Sequence, residues 1–341
     1  MLDVPYQNAM TPRQRLWAYL RYAARAFTEG LQIRRPDLIW GSSTPLSAAV
    51  AAAAVAKFCG APWIFEVRDL WPAFPIQMGA ISNPVLISIL QSVERRLYQS
   101  AAHVVALSPD MTTHIRQSTP GASVSTIEYG TELDLVDRVY ESHIQTIQSD
   151  FGLLPSGIVL YAGTFGRANA IPMLLDTARQ LTHRKDLHLV LTGHGYYQSA
   201  VREAAHELPN LTYIPPQPRP RSLALFRLAD VSLVPFIDLP VLRANAPSKL
   251  YDSLAAGTPV IVTNPGWTKD LVETHRCGWY IPPNSPQKLA NRITSLFDEP
   301  GRLMQAGWRG ANLARQRFDR SAHMDRLAAL VDQVGAGPEY R

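Results

Sequence analysis

Lys249 stands two residues after Pro247 and three before Asp252, in a stretch that runs from Arg243 to Gly257 and continues into Thr258, Pro259, Val260 and Ile261. Asn245 can cap a helix, Pro247 suits its first turn, and Gly257 can end it. The start of such a helix offers unpaired N–H groups and a positive dipole end, which attract anions. Lys249 adds a full charge in the first turn, and Asp252 lies on the same face one turn further in. A cation beside a phosphate and a carboxylate beside ribose hydroxyls is what a nucleotide requires. The same spacing also fits a core helix with a solvated lysine and aspartate.

Two glycine turns add to this chemistry. Gly163, Thr164, Gly166 and Arg167 follow the apolar run 158–162 and precede a helical pattern at 171–181. Glycines at a strand-to-helix turn let the backbone approach a ligand closely. The spacing departs from the G-x-G-x-x-G fingerprint and no acid is fixed about 20 residues on, which argues against a nicotinamide cofactor. Gly193, between Thr192 and His194, sits in a further turn after the run 187–191. Turns after successive parallel strands face one crevice, although each alone is also ordinary loop chemistry. Arg68 and Asp69 end the apolar run 62–67, where an adjacent arginine and aspartate make either an ion pair or a catalytic couple. The nine histidines show no H-x-x-x-H or Cys/His spacing, so no metal site is expected.

These groups need scaffolding of one kind. Short apolar runs at 37–40, 62–67, 103–107, 158–162, 187–191, 231–235 and 259–263 alternate with helical patterns, which predicts parallel sheets covered on both faces. The class is therefore α/β with two Rossmann-like, doubly wound domains. A mixed polar stretch at 135–157 places the boundary, giving domains at 1–150 and 151–341, with a last helix near 315–334. Hydrophobic residues at 46% and charged residues at 18% exclude wholesale disorder. Two cysteines, Cys59 and Cys277, exclude a disulfide framework and point to a reducing compartment. The greasiest stretch, 46–56, is half the ~20 residues a bilayer span needs, and residues 1–8 show no secretory signal. Arg13, Arg15, Arg21 and Arg25 line the helical pattern 12–32 beside Leu16, Tyr19, Leu20, Ala23 and Phe27. That is either a membrane-surface helix attracted to anionic lipid or a core helix with a solvated arginine face. No aromatic-basic platform or recognition motif points to nucleic acid.

At these residues the chain resembles the GT-B glycosyltransferases of family 4, of the bacterial type that builds O-antigen, capsule and exopolysaccharide. The run Pro247, Ser248, Lys249, Leu250, Tyr251, Asp252, ending in Gly257, Pro259 and Val260, is similar to the family's donor-binding pattern. Gly163–Gly166, 228–235, 278–283 and the first-half run 65–72 carry further likeness. The resemblance implies a transferase that moves a sugar from a nucleotide-diphosphate donor, by default a UDP-sugar, with retention and without a metal or other cofactor. It assigns Gly163, Thr164, Gly166, Arg167, Gly193, Pro247, Ser248, Lys249, Leu250 and Asp252 to the donor, and Arg68 and Asp69 to the catalytic cleft. The implied acceptor is a lipid-linked saccharide or glycan, at the cytoplasmic face of the inner membrane, met through Arg13, Arg15, Arg21 and Arg25. There are departures: Ala244 stands where a first acid is common, Arg167 lacks a lysine partner, and Tyr129 replaces a hinge-loop asparagine. Residues 2–6 already read as inside the first domain, so that domain is expected to lack its opening strands. A truncated, inactive paralogue that binds nucleotide sugar or a partner transferase is one alternative. A GT-B-like nucleotide-sugar epimerase is another.

Overall fold

Parallel strands that are apolar on both faces must be covered on both faces, usually by the helices that connect them. The chain meets this requirement twice. The computed structural model describes residues 4–5, 10–139, 141–153 and 157–336, and these fall into two compact units.

The first unit holds α1 (Pro12–Gly30), β1 (Ile39–Ser42), α2 (Leu46–Cys59), β2 (Trp63–Val67), α3 (Ala73–Gln77), α4 (Pro84–Ser100), β3 (His103–Ala106), α5 (Pro109–Ser118) and β4 (Val124–Thr126). Its four strands are parallel in the order β1-β2-β3-β4. Ile64, Phe65, Val104 and Val105 are buried at the centre of this sheet. Helix α1 is set by a capping box, in which Thr11 and Gln14 exchange bonds around Pro12.

The second unit begins with α6 (Leu133–Asp137) and α7 (Glu141–Phe151), then β5 (Ile158–Ala162), α8 (Ile171–Gln180), β6 (His188–Thr192), α9 (Gln198–Glu207), β7 (Leu211–Ile214) and α10 (Arg219–Leu228). It continues through β8 (Val231–Val234), α11 (Ser248–Ala255), β9 (Val260–Val262), α12 (Trp267–Thr274), β10 (Gly278–Tyr280), α13 (Pro286–Phe297) and α14 (Pro300–Arg317), and α15 (Arg320–Gly335) follows. Its six parallel strands lie in the order β10-β9-β8-β5-β6-β7. The chain thus builds outward from β5 to β7, returns across the sheet to β8, and builds outward again to β10. Such a reversal opens a crevice beyond the carboxyl ends of β5 and β8, the switch point where doubly wound sheets take ligands. Val159, Leu160, Leu189, Leu191, Val231 and Leu233 are buried in this core.

The units do not divide at 150/151. The second takes up from Tyr129, because Ile147 of α7 is fully buried there, Asp137 binds Arg315 at 2.7 and 3.0 Å, and Asp150 binds Arg221. From His323 onward the chain belongs to the first unit. There Leu327, Leu330, Val331 and Val334 pack over Ile64, Val105 and Ile127. The expected last helix at 315–334 is therefore two helices, broken at Phe318 and Asp319. That break pairs with Thr131, whose N–H donates to the Phe318 carbonyl at 2.8 Å and whose carbonyl accepts from Arg320 at 2.9 Å. The expectation about 2–6 rests on residues 2, 3 and 6, which lie outside those described.

Candidate functional site

Lys249 lies in the first turn of α11, in the crevice above β5 and β8. Its Nζ is 5.2 Å from the centre of the Tyr161 ring, on β5, and 5.8 Å from that of Phe236, just past β8. The side chain runs against Gly163. A Cβ added there would come within 3.0 Å of Lys249 Cε and 3.3 Å of Nζ, so the missing side chain gives the ammonium its room. Burial pushes the ammonium down to about 8, opposed by the Asp252 carboxylate. A half-buried cation beside two rings gains from any anion that reaches it. The helix starts differently from expectation. Pro247 holds the cap position with no side-chain cap, and the Asn245 side-chain Oδ1 accepts from the N–H of Ala246 instead. The α11 N–H groups are thus not shielded by a capping side chain. Gly257 ends the helix as expected, with φ of 78°.

The two glycine turns form one structure. The N–H of Gly163 donates to Thr192 at 3.0 Å, that of Phe165 to His194 at 2.8 Å, and that of Tyr197 to Phe165 at 3.0 Å. Gly193 serves this stitching: an added Cβ would fall 1.9 Å from the Gly163 carbonyl oxygen. Glycine at 193 is therefore required by the neighbouring turn. Thr164 is exposed, and its carbonyl accepts from the Tyr161 hydroxyl at 2.6 Å. Gly166 is followed by a short 3-10 turn, Arg167–Asn169, and the exposed Arg167 stacks on Tyr196 at 4.2 Å from the ring centre. Leu250 is fully buried and anchors α11, whereas Ser248 is exposed at its tip.

Asp252 is placed differently from a free ribose ligand. Its carboxylate is buried and takes both arms of the Arg219 guanidinium, at 2.6 and 2.7 Å, and the Thr131 hydroxyl at 2.7 Å. Three of its roughly four acceptor positions are filled by the protein. Arg219 continues toward Glu132, and Glu132 to Arg320 at 3.3 Å. Sequence reasoning missed Arg219 because a charged residue in a proline-rich stretch carries no periodic signal. It also missed Tyr161, which read there only as a strand residue, and Phe236, which stands one residue past the run 231–235.

In the first unit Asp69 follows β2. The Ser43 hydroxyl accepts from the N–H groups of Arg68 and Asp69 at 2.9 and 3.2 Å and donates to the Asp69 carbonyl at 3.0 Å. Thr44 donates to the Asp69 carboxylate at 3.3 Å. Burial raises the Asp69 carboxyl above its ordinary range, against that bond and the charge of Arg68. Arg68 itself is exposed. The four helix arginines do not act as one face. Arg13, Arg21 and Arg25 are exposed, but Arg15 is half-buried and reaches back to the Met10 carbonyl at 3.4 Å. Among the described residues, no helix is long and apolar enough to cross a membrane.

The family model described as Glycosyl transferases group 1 matches residues 146–312, and that of the Glycosyl transferase 4-like domain matches residues 2–130. A probable glycosyltransferase, WbjE of Pseudomonas aeruginosa, is 21% identical over 309 residues, 87% of this chain and 75% of its own. An alpha-D-kanosaminyltransferase of Streptomyces kanamyceticus is 21% identical, over 72% of this chain and 64% of its own. Among solved structures, Anabaena Alr3699/HepE in complex with UDP superposes with a TM-score of 0.70 at 17% identity, over 96% of this chain and 85% of its own. Sucrose-phosphate synthase from Thermosynechococcus elongatus gives a TM-score of 0.76 at 19% identity, over 98% and 82%. At these identities the structural likeness is one of fold.

Proposed function

This chain belongs to the family 4 glycosyltransferases of the GT-B fold, and from that premise we propose that it transfers a sugar from a UDP-sugar to a lipid-linked saccharide in cell-surface polysaccharide synthesis. The observation that carries the donor half is Lys249 against Gly163 at the β5/β8 switch point. When the bond from the anomeric carbon to the diphosphate breaks, negative charge gathers on the departing oxygen. A preorganised cation in a crevice poor in water stabilises that charge far better than solvent does. Lys249 and the uncapped N–H groups of α11 meet the diphosphate, and Arg167 serves it from the rim. Asp252 serves the donor by holding Arg219 and Thr131, with one acceptor position left for a ribose hydroxyl. Asp69, fixed by Ser43 and Thr44, is the acceptor-side carboxylate, and Arg68 stands beside it.

The acceptor oxygen replaces the diphosphate on the anomeric carbon with retention, and its proton leaves with the diphosphate. The relatives named in colanic acid and teichuronic acid biosynthesis support an acceptor of the surface-polysaccharide kind. Such an acceptor places the enzyme at the cytoplasmic face of the inner membrane. Titration calorimetry with UDP tests the donor half. Lys249→Ala is expected to weaken UDP by at least about 30-fold, the loss that follows from removing one charged partner of a desolvated pair. Equal affinity in parent and variant would refute the assignment. A panel of nucleotide sugars, screened by thermal stabilisation, then identifies the sugar.

A further inference from the structure

Helix α1 packs on α2. Ala18 is buried, Tyr19 meets Trp71 edge-on at 6.4 Å, and Gly30 lies so near Val55 that an added Cβ would fall 2.7 Å from it. The larger apolar side chains are turned outward. Leu16 is 57% exposed, Trp17 67% and Leu20 49%, values that exclude burial in the unit's own core. At about 100° per residue, these three fall with Arg13, Ala24 and Arg21 in an arc of about 140°. Glu29, the single acid of α1, lies outside that arc. The segment 12–35 holds six arginines, so its surplus of five positive charges equals that of the whole chain.

We propose that this face of α1 is a docking surface for an anionic lipid bilayer, with Leu16, Trp17 and Leu20 seated at the headgroup level and Arg13 and Arg21 on the phosphates. Charge selects this occupant: a face with no acid, with Arg13 and Arg21 around an apolar stripe in the segment that holds the chain's surplus of positive charge, complements a negative surface. Tryptophan between arginines suits the boundary of a membrane, where the ring is half-wet and the guanidinium reaches outward. The proposal deepens the reading of a lipid-held acceptor and takes its purpose from it, but the surface stands on α1 alone. It also changes the kind of attraction expected. Arginines by themselves give binding that salt removes; seated apolar side chains leave a part that salt spares.

The test is co-sedimentation of the full chain with vesicles of neutral phosphatidylcholine, with and without 30% phosphatidylglycerol, at low and high salt. The parent is expected to bind only the anionic vesicles at low salt and to retain a measurable fraction at high salt. Arg13→Gln with Arg21→Gln should lower low-salt partitioning about 30-fold. Trp17→Gln with Leu20→Gln should lower the salt-spared part at least about 10-fold. Met304→Gln with Trp308→Gln alters another exposed tryptophan-containing pair, on α14, and should bind as the parent does. No binding by the parent, full binding by the α1 variants, or loss in the α14 variant would overturn the proposal. So would a dimer in sedimentation velocity that the Trp17 and Leu20 changes abolish, since a second copy would then be the occupant. UDP calorimetry on the same variants separates this failure from failure of the donor reading, because neither α1 variant touches that site.

Discussion

Lys249 carries a pH dependence whose sign follows from its surroundings. Burial beside Tyr161 and Phe236 brings the ammonium down to about 8, so it is charged at pH 7 and neutral by pH 9. A bound diphosphate favours the charged form, hence UDP affinity should be nearly level at pH 7 and down about twofold at pH 8. It should then fall towards tenfold per pH unit above 8, as binding has to take up a proton. Calorimetry from pH 7 to 9.5 checks this, and Lys249→Arg, always charged, should remove the slope. How far this site was legible in the sequence differs residue by residue. A lysine and an aspartate at helical spacing announce an anion site, and the structure has Lys249 in the first turn of α11, beside Tyr161. What the Asp252 carboxylate binds within the protein was not legible, because spacing along a helix says nothing of what another segment brings to it. Arg219 and Thr131 arrive from 33 and 121 residues away.

Among the elements, the stitched glycine turns give two glycines opposite sensitivities. Gly193→Ala drives a Cβ into the backbone of Gly163, so the turns must part, and both UDP binding and thermal stability should drop sharply. At Gly257 an added Cβ meets nothing within 4 Å. Gly257→Ala should therefore cost only the strain of its left-handed backbone, about 1 kcal/mol, and leave UDP binding intact. Urea unfolding with calorimetry on both variants makes the comparison. Which strands were legible follows a rule of position. The runs seen in the sequence became the interior strands of both sheets, together with β1, although its run lay two residues early. The three strands that escaped notice, β4, β7 and β10, all lie at sheet edges. An edge strand is covered on fewer sides, so polar residues interrupt its apolar run; only the first and last residues of β7 are buried. The Asn245 cap misled for a related reason: cap residues are recognised by type, but a side chain can spend its oxygen on a neighbour one residue away.

For the whole molecule, the placement of α15 matters most. Leu327, Leu330, Val331 and Val334 close the apolar face over Ile64, Val105 and Ile127, although they lie some 200 residues further along the chain. Removing residues 323–341 should uncover that face and lower the melting of the first unit, while the second, continuous from 129 to 322 apart from 244–246, keeps its own transition. Scanning calorimetry with and without UDP assigns the transitions, since UDP should raise only that of the second unit. The boundary at 128/129 was illegible in the sequence because composition marks exposed linkers, and here the polar stretch at 135–157 includes α7, whose one apolar face is buried. The same arrangement sets an order of events during synthesis. A ribosome delivers the first unit's sheet early and its residues from 323 onward only after the second unit. The second unit can finish folding first, while the nascent N-terminal sheet waits with Ile64, Val105 and Ile127 open to whatever chaperone meets hydrophobic surface at the exit tunnel.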